Sequence, residues 1–426
     1  MPDGTATAHR YEPKLISILR EGYTAAHFRK DVFAALTVAI VAFPLSLAIA
    51  IASGVSPERG LYASIIGGAL VSILGGSRFQ IGGPAGAFIV LVAATQAKYG
   101  IEGLLLTVFL SGVLLTVLGF LRVGALIRHM PHAVIVGFTC GIAVTILASQ
   151  LKDFAGLRLA EPEPGPLLPK MLALSEAIGT AAPAAVGLGV ASAALIFILR
   201  RWAPKWPGML TAVVLMTVVA ALLHLPVETV GTRFGELPQM LPAPRMPTFD
   251  AGLLWELLPT VISFTLLGGI ESLLSAKVAD GMSGRKHRSN MELVAQGIAN
   301  VGSALFGGIS VTGTIARTAT NIRAGAHGPV SGILHAAFLL IFLVAAAPLA
   351  AFVPLPVLAG LLVVVCWNMA EGREFARLLR YRREAVVLLA TFIVTLAVDL
   401  AAGIMVGGAF AAIMALFGYR PLAEDK

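Results

Sequence analysis

The sequence predicts an all-α polytopic membrane protein, with fourteen transmembrane elements arranged as two inverted halves of seven. Three observations carry that reading. The 426 residues are 57% hydrophobic and 13% charged, with mean hydropathy +0.87, whereas a soluble domain carries about 25% charged residues. Short loops rich in Lys and Arg separate the apolar runs. Two glycine-broken stretches, 75–94 (GGSRFQIGGPAGAFIVLVAA) and 307–325 (GGISVTGTIARTATNIRAG), each stand third in their half. An odd number of elements per half turns the second half over relative to the first.

The elements follow in order. Residues 1–30 form a cytoplasmic N-terminal segment in which 1–12 are disordered and 13–30 read as one amphipathic helix on the membrane surface. The first half, 31–224, holds spans at 31–52, 61–74, 102–121, 132–150, 180–200 and 208–224, with a half-helix from Pro84 to Ala97 as its third element. A linker, 225–250, follows on the outer side. The second half, 251–417, holds spans at 252–280, 291–306, 329–348, 355–370, 384–398 and 401–417, with its own half-helix ending at Arg323. Residues 418–426 are a cytoplasmic tail. The acidic 152–169 loop and the Pro-rich linker fall outside. Arg122, Arg128, Arg200, Arg201, Lys205, Arg285, Lys286, Arg288 and the basic run from Arg373 to Arg383 fall inside. Both termini are therefore cytoplasmic in an inner membrane. The net charge of +8 belongs to this loop bias and implies no nucleic acid. Residues 1–30 have no apolar core of a signal peptide. Cys140 and Cys366 lie in apolar runs and read as packed thiols.

A glycine-broken, polar stretch at membrane depth must be buried in protein or line a cavity. Each stretch has a few strand-like residues and then a helix start. Pro84 suits the first turn of one helix, and Thr312 or Thr314 the cap of the other. Two such helix starts facing each other offer free amides and positive dipole ends to one anion. The stretches DVFAALTVAIVAFPLSLAIAIASGVSPERGLYAS, GGSRFQIGGPAGAF, ESLLSAKVADGMSGRKHRSNMELVAQGIAN and FGGISVTGTIARTATNIRAG together make residues 30–420 resemble the sulfate permease (SulP) family of anion transporters. The resemblance implies the uracil-permease fold, in which a core domain (elements 1–4 and 8–11) moves against a gate domain (5–7 and 12–14). It places the substrate between half-helices 3 and 10. Two features depart from the family pattern. Pro44 is followed by Leu45-Ser46 where many relatives have Gln after the proline, and the chain stops at Lys426 where relatives usually continue into a soluble STAS domain.

Within that frame the amides of Ala85, Gly86 and Ala87 and of Thr314, Ile315 and Ala316 face the substrate. Gly83 allows close approach, and Phe43, Pro44 and Ser46 line the site from span 1. Arg317, one turn into half-helix 10, draws the anion. Glu271 sits mid-span, where a charge costs roughly 2.5–3.5 kcal/mol. With Ser275 one turn on, it holds the coupling ion, Na⁺ or H⁺. The competing assignment for this pair of charges is an ion pair between Glu271 and Arg317. The eight histidines show no metal-ligand spacing, and no phosphate-binding lysine loop supports ATP-driven transport. A lone Glu and a lone Arg do not make an enzyme's cluster. The expected activity is secondary transport of bicarbonate or sulfate by an elevator movement, with Na⁺ as the one candidate coupling metal and a homodimer left open. A C4-dicarboxylate carrier, a passive anion channel and a nucleobase permease are the alternatives on the same fold.

Overall fold

The computed structural model describes residues 11–124, 131–161, 163–164, 167–203, 206–249, 251–397 and six positions between 402 and 410. Several expectations fall outside these residues: the disorder of 1–10, the loop positions Arg128 and Lys205, most of the last span (401–417) and the 418–426 tail.

The first expected helix is two. Gly22, at φ +93°, ends α1 (Lys14–Arg20). Thr24 then opens α2 (Ala25–Ala52) with a capping box in which its hydroxyl accepts from the His27 amide. The second span is α3 (Glu58–Tyr62), a π turn (Ala63–Gly67) and α4 (Gly68–Leu74) end to end. A two-residue strand, β1 (Gly82–Gly83), and a 3₁₀ turn (Gly86–Phe88) lead into α5 (Ile89–Phe120). Gly100, at φ 68°, breaks α5 into the half-helix and the following span.

After α6 (His132–Ala155) the expected outer loop contains a helix, α7 (Leu167–Glu176), pinned by Lys170, whose Nζ bonds Glu163 at 2.9 Å and Ser149 at 2.7 Å. Next come α8 (Pro183–Trp202) and α9 (Gly208–Leu222). The linker is not featureless: α10 (Val230–Phe234) lies in it, and Thr229 bridges to Pro354. The second half runs α11 (Ala251–Ser283), α12 (Ser289–Leu305), β2 (Thr312–Gly313), α13 (Ile315–Arg323), α14 (Val330–Ala350), α15 (Leu355–Met369), α16 (Gly372–Leu378) and α17 (Arg382–Ala397).

Among the described residues, seven helices are long and apolar enough to cross a membrane unaided. The shorter ones, such as α4 and α13, are broken or internal elements that pack among them. In one group of helices, α12 packs on α5 and α4, α11 on α5, and α14 on α2. In a second group, α6 packs on α15 and α17, and α8 on α15. Close backbone approach holds both. A Cβ on Gly112 would meet the Gly297 carbonyl at 2.7 Å, and one on Gly297 the Gly112 carbonyl at 2.5 Å, so α5 and α12 cross glycine on glycine. Gly360 meets the Gly189 carbonyl at 2.6 Å in the second group. Cys140 and Cys366 are buried and unbridged, as expected.

Candidate functional site

The two broken stretches meet. β1 and β2 pair antiparallel, Gly82 opposite Gly313 and Gly83 opposite Thr312. The Thr314 amide extends the ribbon by donating to the Ile81 carbonyl at 3.0 Å. The Ile81 amide donates to Thr318 Oγ1 at 3.1 Å, and Asn321 Nδ2 to the Phe79 carbonyl at 2.9 Å. A ribbon this short has almost no stability of its own, and α12 holds it from behind. Asn300 exchanges two bonds with Val311, at 2.8 and 2.9 Å, and Ser303 Oγ donates to Ile309 at 2.6 Å. On the other strand, buried Glu292 accepts the Ser77 amide at 2.8 Å and Gln296 Nε2 at 3.2 Å.

Each half-helix starts just past this ribbon, and neither start is closed by a side chain. Pro84 is not in the first turn: Ala85 occupies the N-cap position ahead of the 3₁₀ turn, with no side-chain cap. Thr314 is the N-cap of α13 but does not cap it; its hydroxyl donates across the ribbon to Ile81 O at 3.2 Å. Thr312 is also spent elsewhere, 2.7 Å from Ser272 Oγ. The pairing of the strands claims both threonines, and the first amides of both helices stay open.

Among the described residues Arg317 is the largest fully buried side chain, at 1% exposure. Its Nη1 donates to Ser64 Oγ and its Nη2 to Ser46 Oγ, both at 3.0 Å. Ser46 Oγ donates to the Ala42 carbonyl at 2.6 Å and lies 2.8 Å from Ser64 Oγ. Since the Ser46 proton is already committed, Ser64 donates to Ser46. The donors therefore run one way, from guanidinium through two hydroxyls to a backbone carbonyl. No carboxylate meets Arg317 among the described residues, and its Nε has no partner. The ion pair with Glu271 does not form. The role of Gly83 also changes: a Cβ there would stand 2.3 Å from Arg317 Nη1, so the space it leaves admits the guanidinium.

Around this centre Pro44, Ala85 and Ala87 are buried, Phe43, Gly86 and Ile315 half-buried, and Ala316 exposed. The accessible atoms thus sit at the two helix starts. Phe43 packs edge-on to Phe342 of α14, with ring centroids 6.0 Å apart. Gly86 looks toward Ile146, Val365 and Met369 of the facing helices α6 and α15. Half-buried Glu271 has no ion pair or hydrogen bond to its carboxylate among the described residues. Ser275, one turn on, is fully buried, and its hydroxyl donates to Thr318 Oγ1 at 3.3 Å. Sequence reasoning missed Ser64, Ser272, Thr318 and Glu292. The available signal was a hydroxyl or carboxyl inside an apolar run, and Ser and Thr are too common in such runs to stand out.

Residues 28–391 match the sulfate permease family. The chain belongs to that family. Its relatives within the sulfate permease family are named as transporters, not enzymes. One is a putative sulfate transporter of Bacillus subtilis, YvdB, 43% identical over 389 residues that make up 91% of this chain and 73% of the relative. Another is the bicarbonate transporter BicA of a Picosynechococcus species, 30% identical over 94% of this chain and 73% of the relative. Among solved structures, the transmembrane domain of a cyanobacterial BicA superposes with TM-score 0.81 at 31% identity, covering 90% of this chain and 98% of that one. The SLC26A9 structure superposes with TM-score 0.86 at 19% identity over 95% of this chain and 68% of that one, a likeness of fold alone.

Proposed function

We propose that this sulfate permease family member is a secondary active transporter of a small inorganic anion, bicarbonate or sulfate, coupled to Na⁺ or H⁺. One observation carries the reading: a fully buried guanidinium whose bonds go only to neutral hydroxyls, beside two uncapped helix starts. A buried charge left without a counter-charge is costly, and an anion at the open amides supplies one. The names of the relatives point to the same substrate class. Glu271 completes the reading. With no basic partner, its carboxylate fits a cation or a proton taken as co-substrate, and the Ser275 oxygen keeps lone pairs for a cation beside it. Transport then follows from the core domain, elements 1–4 and 8–11 of a seven-plus-seven inverted repeat, moving past the gate. Gly86 already faces α6 and α15 across that boundary. The test is uptake of labelled bicarbonate and sulfate into proteoliposomes, with and without a Na⁺ or pH gradient. Concentrative uptake of one anion under one gradient is expected. Uptake that only equilibrates under every gradient would make the protein a passive path.

A further inference from the structure

Away from the anion site, at the end of the molecule that carries the N-terminus, the side chains of His27 and His327 stack face to face. Their centroids are 3.6 Å apart and their planes 2° apart. The Thr24 amide donates to His27 Nδ1 at 3.3 Å. Arg78 Nη2 lies 3.2 Å from His327 Nε2. A guanidinium only donates, so Nε2 accepts that bond.

Of the charged groups that act on His327, Asp31 favours a proton there, while Arg78 and Lys30 oppose it. Arg78 also bonds the His327 carbonyl at 2.9 Å and Glu21 at 2.9 Å. Asp31, fully buried, accepts the His327 and Gly328 amides at 2.6 and 3.1 Å and the Tyr23 hydroxyl at 2.7 Å. Lys30 adds a further positive charge nearby. Burial, then Arg78 and His27, hold His327 below the ordinary range of a histidine.

The cluster joins three parts of the chain. Tyr23, His27 and Asp31 belong to the N-terminal segment and the start of α2. Arg78 lies on the approach to β1. His327 and Gly328 lie in the loop that ends the half-helix α13, and a Cβ on Gly328 would strike Ile18 of α1 at 2.7 Å. We infer that the His327 ring of this stack is a proton-binding latch: a proton on its Nε2 breaks an accepted hydrogen bond, places a cation beside Arg78, and frees the loop at the carboxyl end of the half-helix that carries Arg317.

The sign follows from linkage. The open loop exposes an ordinary histidine and binds protons more readily than the closed one, so the closed form loses stability as pH falls below about 6.5. This holds whatever ion is carried, and the test needs no transport. Hydrogen exchange is measured by mass spectrometry on the full chain in lipid nanodiscs from pH 8 to pH 5.5, corrected for intrinsic exchange. Amides in 21–31 and 324–329 should open by up to about tenfold per pH unit below that point, for one proton bound, while those of α5 and α12 stay constant. In the variant His327→Gln the acceptor remains and does not titrate, so the acid step should vanish. A flat wild-type profile overturns the latch without any variant, as does an unchanged step in His327→Gln.

Discussion

Glu271 and Glu292 are the same residue, one in the middle of α11 and one in the first turn of α12, and their surroundings differ. Glu292 is fully buried and accepts the Ser77 amide and the Gln296 side chain. Glu271 is half-buried and has no bond to its carboxylate among the described residues. One carboxylate is used up in holding the approach to β1. The other is available. A mid-span position marks Glu271 as costly; for Glu292 the mark is its burial and its two partners.

Substitutions at four positions test that division and the setting of Arg317. Glu292→Ala leaves the Ser77 amide buried and unpaired and should cost on the order of 3 kcal/mol of stability, seen as a lower thermal midpoint in detergent. A midpoint equal to wild type would show that the bond holds nothing. Glu271→Gln should leave that midpoint in place while gradient-driven uptake falls to background. If instead the midpoint drops and uptake per folded molecule persists, the two glutamates have been assigned the wrong way round. Arg317→Ala removes a charged donor and should weaken anion binding roughly 10- to 100-fold, read by isothermal titration. Equal affinity would reduce Arg317 to packing. Ser64→Ala takes away one of the two hydroxyls that aim the guanidinium, and a loss of about fivefold is expected. Ser64→Thr, which keeps the hydroxyl, should restore most of it.

The sequence singled out Glu271 because the residue stands mid-span in ESLLSAK. It passed over Glu292, whose stretch SNMELVAQ looks like the edge of a span and whose partner, Ser77, lies 215 residues away. Similar limits applied to the arginine. TIARTAT pointed to Arg317, but its partner Ser64 is 253 residues distant and is brought in by a π turn. The capping threonines were misread for the same reason. Local spacing offers Thr314 as a cap, whereas the Ile81 carbonyl, 233 residues away, takes its hydroxyl.

By itself, then, the chain determined the helical membrane class and the two places where glycine interrupts the helices. Those depend on hydropathy and on local backbone preference, which are properties of neighbouring residues. Only the tertiary structure decided that the interruptions pair with each other, that the guanidinium rests on serines rather than on a carboxylate, and that the first amides of both half-helices remain open. Each of these is a contest for hydrogen-bond partners between segments more than 200 residues apart, and a buried polar group takes whichever partner the packing brings to it.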